Sequence, residues 1–139
     1  MKLLLSSLFL LATLATSSDR TVADLNGAWS GEAQGQPVMF YFLKDGYLGM
    51  TVGSTVLDPY NYENDGLNMI SVYKTDFSKL PIHIDWMFVK KETDDIMVHR
   101  EGIIAFSDDD TIYMVMKEKG NRPTDFKGSE VIRLSRSTR

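Results

Sequence analysis

The chain of 139 residues has no cysteine, only four prolines and only two histidines. Without cysteine there can be no disulfide, no thiolate nucleophile and no lipid attached through sulfur, so the core alone must stabilise the fold. There is no low-complexity tract, no internal repeat and no convincing run of helical periodicity. There is also no basic stripe, which argues against a nucleic-acid partner.

One apolar run stands at the start of the chain. Lys2 is followed by apolar residues to about Ala15, and polar Thr16 to Asp19 come next. The run is shorter than the roughly 20 residues that a membrane-spanning helix needs, so it predicts a secretory signal peptide over residues 1–18. We therefore expect an exported protein, periplasmic or extracellular, with no membrane insertion after cleavage. An uncleaved anchor is the alternative.

Residues 19–139 are predicted to form one all-β domain. Without Lys2, 14 basic side chains face 19 acidic ones, a mild and well-mixed net charge of −5. Short stretches of alternating apolar and polar residues, separated by turn dipeptides, indicate strands. They lie within 38–52 and at about 27–33, 55–62, 67–74, 82–90, 95–106, 110–117 and 129–135. Eight to nine antiparallel strands favour closure into a single barrel, because closure removes sheet edges; a sandwich is the alternative.

The segment Val38 to Val52 is the clearest hairpin. Its central Asp45-Gly46 favours a two-residue type I′ turn. That turn predicts three inward-facing pairs: Leu43–Leu48, Tyr41–Met50 and Met39–Val52. It also places Phe42 across from Gly49, and it turns the aromatic side chains of Phe40, Phe42 and Tyr47 outward. Exposed aromatic residues on one hairpin suggest a docking patch for another protein; a covered or misassigned face is the alternative.

Gly27-x-Trp29 on the first strand resembles the opening signature of the lipocalin-like, or calycin, superfamily. The resemblance implies that the tryptophan closes one end of the barrel beneath a basic side chain of the last strand. Arg133 is the first candidate for that side chain and Arg136 the second. The contact would place a cation over an aromatic face.

The C-terminal half resembles an uncharacterised bacterial family of small secreted lipocalin-like proteins. Five segments carry this resemblance: Pro81-Ile82-His83-Ile84-Asp85, Glu101-Gly102-Ile103, Asp110-Thr111-Ile112, Arg122-Pro123-Thr124-Asp125-Phe126 and Val131-Ile132-Arg133-Leu134. The resemblance is strong over about the last sixty residues, whereas 53–66 matches no family. It implies a barrel and export, and it implies no activity.

Strand 82–90 and the strand after it share a polar face. Setting apolar residues opposite one another places Asp85 opposite His99, and His83 opposite Glu101. Two compensated cross-strand pairs are the main interpretation. A metal site formed by His83, Asp85 and His99 is the second, since imidazole and carboxylate suit zinc or iron. General acid–base catalysis is the third. No serine or cysteine stands in a nucleophile motif, so we expect no catalysis. Because compensated pairs are the main interpretation of the histidines and carboxylates, we also expect no bound metal and no cofactor.

The predicted function is that of an exported lipocalin-like binding protein that holds a small apolar ligand. The candidate ligand-binding residues are Tyr41, Met50, Trp86 and Arg122. Arg122 stands in a rigid turn at the predicted barrel mouth, where a salt bridge to Asp125 or a nearby acidic turn is its simpler role. Gly27, Trp29 and Arg133 are predicted to be structural. The alternative is a periplasmic interaction or inhibitor module that binds a protein partner through its outer surface.

Overall fold

The structure, a computed structural model, describes residues 19–138, and the predicted signal peptide lies outside the described residues. A short 3-10 helix, Val22–Asp24, precedes ten strands. They are β1 (Gly27–Ala33), β2 (Gln36–Phe42), β3 (Leu48–Val52), β4 (Thr55–Leu57), β5 (Tyr62–Asn64), β6 (Leu67–Asp76), β7 (Ile82–Lys90), β8 (Ile96–Asp108), β9 (Thr111–Glu118) and β10 (Ile132–Thr138). Within these residues, no helix has the length and apolar character needed to span a bilayer.

The strands form one antiparallel sheet in the order β4-β3-β2-β1-β10-β9-β8-β7-β6-β5. Neighbours in the sheet are also neighbours along the chain, except that β10 returns to pair with β1. A bridge between Tyr47 and Val72 then brings the two ends of the sheet together. The sheet is therefore a nearly closed barrel, and the predicted all-β antiparallel barrel is confirmed.

Two very short strands account for the difference between the predicted eight to nine strands and the ten observed. The sequence predicts one strand over 55–62, whereas the chain forms β4 and β5 there, three residues each. Pro59 has no N–H to donate to a ladder. The Asp58 carboxylate accepts a hydrogen bond from the Tyr60 N–H at 2.9 Å, which stabilises a turn between the two strands.

The β2–β3 hairpin lies one residue away from its predicted register. Phe42 faces Leu48 and Phe40 faces Met50 across the two strands. The predicted pairs were therefore wrong: Leu43–Leu48, Tyr41–Met50 and Met39–Val52. The inner face of β3 is the predicted one, whereas the faces of β2 are exchanged, because a shift of one residue moves every side chain to the other side of the sheet.

The turn explains this shift. The Gly46 N–H donates to the Leu43 carbonyl at 3.1 Å, and the Leu43 N–H donates to the Tyr47 carbonyl at 3.0 Å. Gly46 has φ of 87°, a region that favours glycine. The loop therefore has three residues and ends in a glycine bulge, instead of the two residues of a type I′ turn.

The exchanged faces remove the predicted aromatic patch. Phe40 and Phe42 are only 4% and 1% exposed, and Tyr47 is half-buried. Tyr41 takes the outward position instead, and its side chain lies across from Gly49, where a Cβ would meet it at 3.5 Å. The prediction that Phe40, Phe42 and Tyr47 form an exposed docking surface was therefore wrong.

Strands β7 and β8 pair two residues away from the predicted register. Asp85 lies opposite Glu101, and His99 lies opposite Met87. The predicted pairs Asp85–His99 and His83–Glu101 were therefore wrong as directly opposed residues. Because the displacement is even, the faces stay as predicted: Ile82, Ile84 and Trp86 are buried, with exposures of 5%, 1% and 8%.

Two register irregularities lie in β8. Phe88 pairs with Val98 and Val89 with Ile96, which leaves Met97 as an extra residue. A second irregularity lies at Ser107, near the turn to β9. At Gly102, where the sequence predicts a bend or bulge, the register is continuous. Gly102 has another role: a Cβ there would collide with the Val115 carbonyl and the Met116 sulfur.

Trp29 closes one end of the barrel. Its side chain is fully buried, and its Nε1–H donates to the Leu25 carbonyl at 2.8 Å. The guanidinium carbon of Arg136 lies 4.2 Å from the centre of the indole. The prediction of Arg133 as this partner was wrong, because the buried Leu134 faces inward and side chains alternate along a strand. Arg133 is exposed, while Arg136 shares the inner side with Leu134.

Arg136 also fastens the chain segments around this closed end. Its guanidinium donates to the Asp24, Asn26 and Asp109 carbonyls at 2.7, 2.9 and 3.0 Å, and to the Asp110 carboxylate at 3.1 Å. Gly27 opens β1 with φ of 121°, which a side chain would disfavour. The start of the barrel thus depends on a glycine, a tryptophan and an arginine from the opposite end of the chain.

Isolated hydrogen bonds, most of them from side chains, join β3 and the turn before it to β6. The sheet does not close there by a continuous ladder. The buried Ser71 hydroxyl donates to the Leu48 carbonyl at 2.6 Å and accepts from the Trp86 Nε1–H at 2.8 Å. The Tyr73 hydroxyl donates to the Leu43 carbonyl at 3.0 Å, and the Tyr73 N–H donates to the Gly46 carbonyl at 2.9 Å. We call this junction the seam.

Candidate functional site

A cavity of about 470 Å³ opens at the end of the barrel opposite Trp29. Apolar side chains make up most of its wall: Ala33, Val38, Phe40, Met50, Val52, Trp86, Met114, Met116, Val131 and Ile132. Strands β1, β2, β3, β7, β9 and β10 supply them, together with Val131 just before β10. Its volume lies within the range of about 300–1,000 Å³ that is usual for small-molecule sites.

Polar residues surround the mouth of the cavity. They are Glu32, Gln34, Gln36, Arg100, Ser129 and Glu130. Glu130 is already paired with Lys117. An apolar wall with a few polar groups near the opening is the usual arrangement of a small-molecule site.

Trp86 is held in one orientation within the wall. Its Nε1–H donates to Ser71. Its ring packs edge-on against Phe40, with 5.9 Å between centroids, and at a tilt against Phe88, with 5.4 Å between centroids. Aromatic contacts of this kind contribute about 0.5–1.5 kcal/mol beyond area burial. The indole is therefore a preformed wall that a ligand does not need to reorganise.

Two of the four candidate ligand-binding residues line the cavity, and two do not. Met50 and Trp86 are in its wall. Tyr41 lies on the outer side of β2, as the shifted hairpin register requires. Arg122 does not stand at the mouth; its guanidinium reaches the backbone of Ile84 and Gly102, away from the cavity. Tyr41 and Arg122 therefore do not line this cavity, contrary to their predicted place.

Sequence reasoning missed Phe40 and Arg100. Phe40 was missed because the turn type was wrong. For Arg100 a signal did exist, since it stands two residues after Val98, on the side of β8 that the apolar pattern predicts to face inward. Arg100 lies opposite Trp86 and lines the mouth.

A second cluster of charged residues lies on the outer side of β7 and β8. Arg122 donates to the Asp85 carboxylate at 2.5 Å and to the Glu101 carboxylate at 3.0 Å. The predicted salt bridge of Arg122 to Asp125 is replaced by these two. The Gly120 N–H donates to Glu101 at 2.6 Å, and this bond, together with the Arg122 charge, holds the pKa of Glu101 below its ordinary value.

Asp85, Glu101 and His99 have the ligand types of a metal site, with atoms within 4.8 Å of one another. The His99 Nε2 is buried without a hydrogen-bond partner among the described residues, 3.4 Å from Asp85. However, the Arg122 guanidinium lies between the two carboxylates, and its positive charge opposes a cation there. The cluster therefore fits a structural ion pair better than a metal centre.

His83 does not belong to this cluster. It lies opposite Asp76 on β6 and opposite Ile103 on β8. The Ser78 hydroxyl and N–H donate to Asp76 and hold the pKa of that carboxyl below its ordinary value. The predicted ligand set of His83, Asp85 and His99 therefore does not converge as a set, although His83 lines a small pocket with Asp85 and Arg122.

Comparisons of the sequence with protein-family models, and of the chain with curated proteins and solved structures, find no match.

Proposed function

We propose that the protein is an exported binding protein of the lipocalin-like type, which holds one small apolar ligand in the open end of its barrel. The cavity of about 470 Å³ carries this proposal. Its wall combines a fixed indole with the thioethers of Met50, Met114 and Met116, and thioether chains adapt to irregular apolar shapes.

The architecture supports the lipocalin-like comparison. An antiparallel meander closes on its own first strand, and a tryptophan on β1 lies beneath an arginine of β10. The expectation of export depends on the signal peptide predicted for residues 1–18. The cluster of Asp85, Glu101 and Arg122 adds no reacting group, since its charges are already engaged.

Native mass spectrometry of protein exported to a periplasm tests the proposal. We expect a bound mass that is released on denaturation, and we expect the emptied protein to bind the neutral probe phenylnaphthylamine. Val52→Trp should block the mouth and abolish probe binding, whereas Tyr41→Ala, on the outer face, should bind as the wild type does. Equal binding by both variants would place the probe outside the cavity and contradict the proposal.

A protein-binding role is the alternative. Its predicted surface is lost because Phe40 and Phe42 are buried. The exposed apolar side chains on β8 are Ile96, Met97 and Val98. A protein that carries no ligand and does not bind the probe would direct attention to that strand.

A further inference from the structure

The first part of β8 has a free edge. β7 pairs with β8 from Ile96 onwards, whereas β9 ends at Glu118. Beyond Glu118, the Lys119 N–H donates to the His99 carbonyl at 3.2 Å. On this side of β8, no strand among the described residues pairs with 96–98. A further strand can therefore add to the sheet at this short edge.

Three consecutive apolar side chains are exposed along this edge. Ile96, Met97 and Val98 are 54%, 45% and 44% exposed. The other exposed large apolar side chains between residues 19 and 138 stand singly along the chain. An apolar patch beside an unpaired strand edge is the kind of surface that binds another protein chain.

The charges at the two ends of the edge have opposite signs. The exposed Asp95 stands just before Ile96 and accepts a hydrogen bond from the neighbouring Thr93 hydroxyl. At the other end, the exposed Lys119 lies across from His99, and its side chain has no partner among the described residues. The edge thus has an acid before it and a free cation after it.

This arrangement is complementary to itself. If two copies pair antiparallel with Met97 opposite Met97, then Ile96 of each copy lies opposite Val98 of the other. The same register brings Asp95 of each copy against Lys119 of the other, because Lys119 fills the place across from His99. A two-fold axis requires such a self-complementary surface, whereas an unrelated peptide would have no reason to match both charges.

We propose that this edge is a homodimer interface, in which 96–98 of two copies pair antiparallel and join the two barrels into one sheet. The proposal does not depend on the small-molecule function. The ladder is short, so we expect a weak dimer with a dissociation constant on the order of 10–100 μM, as suits a small interface.

A single introduced cysteine tests the pairing directly, because the chain has no cysteine of its own. In Met97→Cys the two sulfurs would meet at the two-fold axis. Directly opposed residues of antiparallel strands have Cα atoms about 4.5–5.5 Å apart, within the range of a disulfide. We expect the exported Met97→Cys protein to form a covalent dimer on non-reducing electrophoresis.

Val56→Cys is the matched control. Val56 is more exposed than Met97, at 71%, and it also stands on a strand with a free edge, β4. A cysteine there should therefore react at least as readily by random collision. We expect Val56→Cys to remain largely monomeric.

Sedimentation velocity over a concentration series measures the non-covalent dimer. The wild type and Val56→Lys should dimerise alike, whereas Met97→Lys should stay monomeric because two like charges would meet at the axis. Lys119→Glu should weaken the dimer about tenfold, since it then opposes Asp95 with a like charge. None of the substituted residues lines the cavity, so every variant should bind phenylnaphthylamine as the wild type does.

A wild type that stays monomeric throughout the series, or equal cross-linking of Met97→Cys and Val56→Cys, would overturn the interface. Linkage of Met97→Cys to a different protein, with the wild type monomeric, would overturn the second copy as the occupant of this edge. Normal dimerisation of a protein that binds no probe would support this interface and contradict the proposed function alone.

Discussion

Two arginines on the last strand show how strongly the side of the sheet determines the role of a side chain. Arg136 is turned inward, lies over Trp29 and binds three backbone carbonyls. Arg133 is three residues earlier, is turned outward, and is exposed. The sequence alone ranks Arg133 first, because the end of β10 is predicted three residues too early.

Arg136→Ala should therefore reduce the free energy of unfolding by about 1–3 kcal/mol, since two partly buried carbonyls lose their donor and the Trp29 indole loses the cation over its face. Arg133→Ala should change it by less than about 0.5 kcal/mol. Urea unfolding followed by circular dichroism measures both. Equal losses in the two variants would show that the clamp around Trp29 does not stabilise the barrel.

At the scale of the elements, Arg122 attaches the connection between β9 and β10 to strands β7 and β8. Arg122 stands in this connection and reaches two carboxylates that face each other on β7 and β8. Directly opposed like charges destabilise a sheet. Arg122 therefore both attaches the connection to the barrel and offsets the repulsion between Asp85 and Glu101.

Arg122→Ala should lower the free energy of unfolding by about 1–3 kcal/mol. This lies between the values for exposed and buried salt bridges, because the ion pairs of Arg122 with Asp85 and Glu101 are partly exposed. In an Asp85→Asn background the same replacement should cost less, since only one carboxylate then remains. A double-mutant cycle by urea unfolding measures this coupling. If the cost is the same in both backgrounds, Arg122 and Asp85 do not interact.

The sequence predicts the strands and most of the inward faces correctly. It does not predict the register where one extra residue is inserted in a turn or strand. Alternation along 82–90 predicts β7 to the residue. The glycine bulge at Gly46 and the extra residue at Met97 are local backbone choices that the apolar pattern does not encode. The Gly46 bulge shifts β2 by one residue, so Tyr41 and Phe40 exchange faces. The displacement between β7 and β8 is two residues, so Trp86 stays on the predicted inner face.

For the barrel as a unit, the seam is the place where closure depends on side chains. Ser71 and Tyr73 on β6 bond to carbonyls of residues 43 and 48. Burial, and secondarily the Asp45 carboxylate, raises the pKa of Tyr73 to about 12 from 10.0. Ionised Tyr73 could no longer donate to the Leu43 carbonyl.

Closure of the seam should therefore weaken in alkali. Between pH of about 10 and about 12 the unfolded chain loses the Tyr73 proton while the folded barrel keeps it, so the free energy of unfolding falls by about 2–3 kcal/mol as pH rises. Tyr73→Phe should be about 1 kcal/mol less stable at neutral pH and should show a shallower alkaline decline. Urea unfolding across this pH range measures the slopes; equal slopes would exclude Tyr73 as their source.

The shortness of β4 and β5 affects how readily copies of the protein pair with one another through their strand edges. Within residues 19–138 these are the strands that each pair on one side only, and each has three residues. Unpaired strand edges are the usual templates for aggregation. A neighbouring chain could add a ladder of only three residues at either strand, while the thirteen-residue β8 pairs with β7 along its first part and with β9 along its last. The short end strands thus limit intermolecular pairing at high concentration.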